Sequence, residues 1–158
     1  MVRRQTASVP TCGPATASIR ISWLLAAGLV LSAAAFRWAQ RGIENGSESR
    51  FVAGAALALL LLVADTVAQV LQLISFPFGV ADSAYSSSLY TLAGANLFHL
   101  LLTVFLGLAM WNRGRHHIYS ATSNWQVRLV GLWWTWVAVA AVLAAFTTSF
   151  ITSPNIGG

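Results

Sequence analysis

The sequence predicts an all-α fold, a polytopic membrane bundle of four helices, on three observations. Of the 158 residues, 57% are hydrophobic and only 8% are charged, whereas a soluble domain carries about a quarter of its residues as charges. Mean hydropathy is +0.69. The apolar residues also fall into four runs, each long enough to cross a bilayer and each followed by a short polar stretch. Hydrocarbon offers backbone groups no water, so each run must satisfy its own hydrogen bonds and is read as a helix. A net charge of +5 would suggest nucleic acid in a soluble chain. Here all nine bases are arginine, and their use is to fix orientation in the bilayer. No nucleic-acid partner is expected. The single cysteine, Cys12, excludes an internal disulfide framework and any CxxC metal site.

Residues 1–20 combine Pro10, Cys12, Gly13 and Pro14 with small polar residues and show no periodicity, so they read as a disordered polar tail. The transmembrane domain is predicted over 21–151. Its first span, 21–39, is broken by charge only at Arg37, whose long stem can reach the headgroups. After the polar stretch RGIENGSESR, the second span covers 51–75, with Asp65 its only charged residue. Pro77, Gly79, Asp82 and a serine cluster mark a turn over 76–87, and the third span follows at 88–111. The basic loop NRGRHHIYSATSNWQ leads to the fourth span, 127–151, and a tail over 152–158.

Arg37, Arg41, Arg50, Arg113, Arg115 and Arg128 flank the first and third loops, against Arg3, Arg4 and Arg20 at the N-terminal end. Six against three predicts both loops in the cytoplasm and both termini outside. The membrane expected is a bacterial inner membrane. The competing reading is a cleaved signal peptide, built on Arg3, Arg4, the first apolar run and the small residues Ser32 to Ala35. Cleavage would leave three helices and put the basic third loop outside, against the positive-inside bias.

Polar side chains at mid-membrane depth are the rarest feature, since a central Asp costs roughly 2.5–3.5 kcal/mol on insertion scales. Asp65, Gln69 and Gln72 share one face of span two, and Asn96, His99 and Thr103 share one face of span three. At about 1.5 Å per residue, Asp65 and His99 fall at about 15 and 17 Å depth, and Gln69 and Asn96 at about 9 and 12 Å. The expectation is an Asp65–His99 contact and a Gln69–Asn96 contact between two antiparallel helices. The plain interpretation is interhelical hydrogen bonding worth about 0.6 kcal/mol each; the sharper one is a protonatable site at Asp65 and His99. Bis-histidine haem ligation needs two embedded histidines, and only His99 is embedded. His116 and His117 are adjacent in a loop, where neighbouring side chains diverge. No cofactor, metal ligand or catalytic residue is predicted, and neither a phosphate loop nor a Ser, His and Asp set is visible.

Trp38, Trp111 and Trp125 fall near predicted membrane boundaries, as an aromatic belt requires. Trp133, Trp134 and Trp136 sit two turns into span four and cannot all be belt residues, so at least one is expected to pack against a neighbouring helix or subunit. They are candidates for a subunit or lipid interface, and internal packing of the four helices accounts for the pattern almost as well. Ala138, Ala141 and Ala145 on the same helix permit close backbone approach.

The stretch from Gln69 to His99, QVLQLISFPFGVADSAYSSSLYTLAGANLFH, resembles the helix, turn and helix of haem-copper oxidase subunit III. In that family a glutamine-bearing helix leads into Pro-Phe, an Asp, a Tyr with small residues, an aromatic pair and a Gly-x-His-x-x-His motif. The matching positions are Gln69, Pro77, Phe78, Asp82, Tyr85, Tyr90, Gly94 and His99. The basic loop Arg113 to His117 and the Trp-rich Leu132 to Trp136 are similar to the family's next loop and to the start of its terminal helix. The resemblance covers roughly 21–150, and the four spans correspond to the family's last four helices. Departures are Asn96 for the first motif His, Gln72 for a second carboxylate, and Arg128, Thr135 and Ala138 where the family carries Glu, His and Asp. Asp65 matches no family carboxylate. The family's helix with a buried glutamate has no counterpart, so that residue's role in proton uptake is not carried over.

The resemblance implies an accessory, cofactor-free subunit of a cytochrome c or quinol oxidase in aerobic electron transport, non-catalytic within an oxidoreductase complex. It would pack on catalytic subunit I, with subunit II and membrane lipids as further partners, and support proton uptake there. A nitric oxide reductase accessory protein would look the same. From the residues alone, a free-standing scaffold or small transporter using Asp65 and His99 also stands.

Overall fold

A computed structural model describes residues 15–75 and 84–151 as four helices: α1, Ala15–Glu44; α2, Glu48–Ile74; α3, Ala84–Arg115; and α4, Trp125–Ile151. All four are long and apolar enough to cross a membrane. They overrun the predicted spans at most ends. α1 starts at Ala15, inside the stretch read as tail, and α3 starts at Ala84, inside the stretch read as turn. At 1.5 Å per residue, the 30 residues of α1 extend about 45 Å, well beyond a hydrocarbon core of about 30 Å. The backbone closes its own bonds whether or not a side chain is apolar, so hydropathy marks the hydrocarbon section of a helix and misses its polar ends. The expectations for residues 1–14, the turn at 76–83 with Pro77, Phe78 and Asp82, and the tail at 152–158 lie outside the described residues.

α1 and α2 form a hairpin across only three residues. Gly46, with φ 74°, occupies the left-handed position after α1. Gly46 N–H donates to Ile43 O at 3.0 Å and Ser47 N–H to Gly42 O at 2.8 Å, which is the paired bonding of a Schellman stop. The end of α3 repeats the device with His117 at φ 55°, where His117 N–H donates to Gly114 O and Ile118 N–H to Arg113 O. His117 also pairs with Glu48 at the start of α2, which ties the two loops of this end together.

α1 packs on both α2 and α4, and α2 packs on α3, whereas α3 and α4 share the smallest interface. Lipid tails are as apolar as leucine, so helix association here rests on close packing and hydrogen bonds rather than on water release. Small residues make the approach possible. A Cβ at Gly54 on α2 would lie 2.8 Å from the Cβ of Ala39 on α1, and a Cβ at Gly114 on α3 would lie 2.5 Å from the Phe51 ring on α2.

The centre of the bundle is Ser32 of α1, with no exposed surface. Its hydroxyl donates to Ala58 O of α2 at 2.7 Å and accepts from Trp134 Nε1 of α4 at 3.0 Å. The Trp134 ring stacks on Phe36 with centroids 4.5 Å apart, and its far edge fills the space a Cβ at Gly107 of α3 would need, 2.8 Å away. Trp134, read from sequence as an interface candidate, is therefore an internal residue, 1% exposed. Its indole N–H needs a buried acceptor, and Ser32 supplies one inside the chain. Arg37, expected to reach the headgroups, donates from Nε to Thr135 Oγ1 of α4 at 3.1 Å instead.

Ser32→Ala leaves a buried indole N–H without an acceptor and is expected to cost about 1–3 kcal/mol. Reversible unfolding of the protein in mixed micelles measures this; a loss within error of zero would remove Ser32 as the organising contact.

Candidate functional site: a polar cleft between α3 and α4

Because α3 and α4 barely touch, a cleft of about 360 Å³ opens between them toward the end of the bundle opposite the basic loops. Ala93, Ala140 and Ala144 give it walls of small side chains, and Gln69, Asn96 and His99 give it a polar floor. Trp136 stands at its edge, half exposed.

Gln69 and Asn96 meet: Asn96 Nδ2 donates to Gln69 Oε1 at 2.7 Å, joining α2 to α3. Gln72 lies one turn further along α2 and lines the same cleft. The expected Asp65–His99 contact is not formed. Asp65 is buried, its Oδ1 lies 2.9 Å from where a Cβ at Gly28 of α1 would stand, and its Oδ2 has no hydrogen-bond partner. His99 Nδ1 lies 2.7 Å from Ala95 O, one turn back on its own helix. A carbonyl only accepts, so Nδ1 is the donor in this contact. The ring forms a three-membered cluster with Trp133 and Trp136, its centroid 6.0 and 5.4 Å from theirs, which are 5.3 Å from each other.

The reason for the miss is azimuth. The rise per residue gives the two residues similar depths, but each helix turns about 100° per residue. Asp65 is rotated about 40° from Gln69 and so points toward α1, and His99 is rotated about 60° from Asn96 and so points toward α4. Only the pair on the shared edge of α2 and α3 meets.

The three deep tryptophans divide by the same logic. Trp134 is the internal anchor described above, and Trp133 is half-buried, donating from Nε1 to Thr103 Oγ1 of α3 at 3.0 Å. Thr103 in turn donates to His99 O at 2.7 Å. Trp136 alone faces outward across the cleft mouth. At the far end Trp23 Nε1 donates to Ser149 Oγ at 2.9 Å and pins α1 to α4. Sequence reasoning took Ser32 only as part of a cleavage candidate and passed over Gly28, Gly54 and Gly107, because a small residue in an apolar run carries no signal of what approaches it. The boundary tryptophans carry arginines: the Arg50 guanidinium lies 5.9 Å from the Trp38 ring centre, and that of Arg115 4.8 Å from Trp111. Among the described residues, no three His, Cys, Asp or Glu side chains come together as a metal site would require.

The chemistry available to this site is hydrogen bonding at depth, between side chains whose partners lie on neighbouring helices. A double-mutant cycle on Gln69→Leu and Asn96→Leu is expected to give a coupling of about 0.6 kcal/mol, up to roughly 1.7. The cycle on Asp65→Asn and His99→Gln is expected to give none. Unfolding in mixed micelles reads both, and coupling in the second cycle would restore the pair that the geometry separates.

The model of the cytochrome c oxidase subunit III family matches residues 9–150. The chain is 26% identical over 118 residues to cytochrome c oxidase subunit 3 of Prototheca wickerhamii, covering 70% of this chain and 45% of that one. It is 29% identical over 119 residues to the subunit of Triticum aestivum, covering 71% and 45%, and 29% over 120 residues to that of Anopheles gambiae, covering 75% and 43%. The chain thus spans less than half the length of these relatives. With the family match running through every one of its four helices, the chain belongs to the cytochrome c oxidase subunit III family.

Proposed function

We propose that this chain is an accessory, non-catalytic subunit of a respiratory haem-copper oxidase, packing on the catalytic subunit I and subunit II. The observation that carries the reading is the family match across residues 9–150, which takes in all four membrane helices. The interior supports it. Its deep polar groups are used to hold helices together: Ser32 with Ala58 and Trp134, Gln69 with Asn96, Trp133 with Thr103. Such a bundle acts by presenting surfaces. Trp136 and the cleft it borders are the surface offered to a neighbouring subunit or lipid.

The setting proposed is a bacterial inner membrane with both loops in the cytoplasm and both termini outside. Six arginines at the loop end support that orientation. The transporter reading depended on Asp65 and His99 acting as one site, and nothing in the geometry favours it.

Affinity purification of the tagged protein in mild detergent, with a reduced-minus-oxidised spectrum of the eluate, tests the function. Haem bands and a copurifying catalytic subunit are the expected result, and a colourless, stably folded protein eluting alone would overturn it. Orientation has a separate test in Cys12, the only cysteine. A membrane-impermeant maleimide added to intact spheroplasts is expected to label it, and labelling only after lysis would reverse the topology.

A further inference from the structure

The cleft between α3 and α4 contains polar groups that the bundle itself does not use. Gln72, Asn96 and His99 lie on its floor at three successive levels, over about 9 Å of depth at 1.5 Å per residue. Asn96 Nδ2 is taken by Gln69 and His99 Nδ1 by Ala95 O. Asn96 Oδ1, His99 Nε2 and the Gln72 amide therefore have no hydrogen-bond partner among the described residues. A polar group left unpaired in an apolar setting costs about 1–3 kcal/mol, and embedded polar side chains face either a bundle interior or a water-filled cavity. At roughly 30 Å³ for each molecule, the cleft has room for about a dozen waters, and the three levels supply partners along its length. No Arg, Asp or Glu lines it, so nothing there would hold an ionic headgroup.

The cleft opens at one end only. Ser22 and Ala26 of α1 join the other three helices in lining it, and Ala144 of α4 lies toward the open end. One turn deeper than His99, the Trp133 bond to Thr103 joins α3 to α4. Leu29, Leu100, Thr103 and Trp134 are each at most 1% exposed, and the bond of Trp134 to Ser32 with its stack on Phe36 fills the space beneath. His99 is the titratable side chain at the closed end of the lining. Around it α4 presents Trp133 and Trp136, and α2 presents Gln69, with Asp65 turned toward α1. Arg20 of α1 and Tyr90 of α3 stand near the open end, and among the described residues Arg20 is the one charged side chain there.

We propose that the cleft is a one-sided aqueous port, through which water and protons reach His99 from the end of the bundle opposite the basic loops. A proton arriving from water adds to Nε2, while Nδ1 keeps its bond to Ala95 O. The imidazole then answers to the pH of a single compartment, and the two indoles beside it sense its charge. A neighbouring subunit or lipid against Trp136 covers the flank between α3 and α4 and leaves the end open. The inference rests on the membrane reading and not on the oxidase reading, so it stands or falls separately from the copurification result.

Cysteine accessibility in the full chain, with Cys12→Ser as background, tests the port. A charged, membrane-impermeant methanethiosulfonate is applied to spheroplasts and to inverted vesicles. Ala144→Cys, Ala140→Cys and His99→Cys are expected to react from one face of the membrane only, the face that Cys12 reports in the parent chain. Val139→Cys and Leu143→Cys stand at the same depths as the two alanines but face lipid, where the native side chains are 52% and 59% exposed. They are expected to react about tenfold more slowly or less, because the thiolate is the reacting form and a thiol among lipid tails does not ionise. Reaction of Ala140→Cys and His99→Cys as slow as that of Leu143→Cys would overturn the proposal by making the cleft dry, and reaction from both faces would overturn it by making a pore. Acidifying the open side of oriented vesicles is expected to quench tryptophan fluorescence in the parent chain and not in His99→Gln. No quench, or the same quench in His99→Gln, would remove His99 as the end of the port.

Discussion

The arrangement of the bundle turns on one hydroxyl. Ser32 joins α1 to the backbone of α2 and to the indole of α4 in the same place. Trp134, fixed by that bond and by stacking on Phe36, reaches across to Gly107 of α3. Four helices meet around one serine and one tryptophan. In water such a node would add little to a hydrophobic core, because the core would form anyway. Within a bilayer, apolar side chains gain nothing by leaving lipid for protein, so a bond that fixes rotation and distance carries more of the specificity.

The cleft follows from where that node sits. α1 is held on both sides, by α2 and by α4, and α2 is held by α3, but the ring of contacts is thin between α3 and α4. The Trp133 bond to Thr103 closes it part of the way along, and beyond that bond the alanines of both helices leave open space. Gln69 and Asn96 secure α3 to α2 on the other side, so α3 is positioned without needing α4. At the basic end the pairing of His117 with Glu48 connects the α3–α4 loop to the start of α2. The two ends of the molecule therefore differ: one is tied across the bundle, and the other parts into two helix pairs.

The number of helices and their order were legible because hydrocarbon thickness and backbone satisfaction leave so few alternatives. Their ends were not, since Ala15 to Arg20 and Ala84 to Ser87 are helical without being apolar. The polar faces of spans two and three were legible from spacing, as the Gln69–Asn96 bond illustrates. Spacing along one helix does not give the rotation of that helix against its neighbours, which is why Asp65 and His99, matched in depth, look in different directions. The place of Trp134 was not legible for a related reason. A tryptophan deep in a membrane helix suits lipid, a partner or the interior equally well by composition, and only the acceptor at Ser32 decides. The glycines that admit Phe51, Trp134 and the Asp65 carboxylate are silent in a single sequence, because what they signify is the neighbour and not themselves.

The three-residue turn between α1 and α2 bears on biosynthesis. With Gly46 locked in a left-handed conformation and Gly54 letting the two backbones close up, these helices have no slack in which to be separated by more than their own packing distance. They are expected to leave the translocon as a finished hairpin, with Ser32 already bonded to Ala58 while α3 is still in the ribosome. Trp134 emerges last, and the hydroxyl it needs is by then fixed in position. Assembly of the remaining helices thus becomes docking onto a preformed template, and a ribosome stalled before α4 would hold a two-helix unit whose key acceptor stands open to lipid.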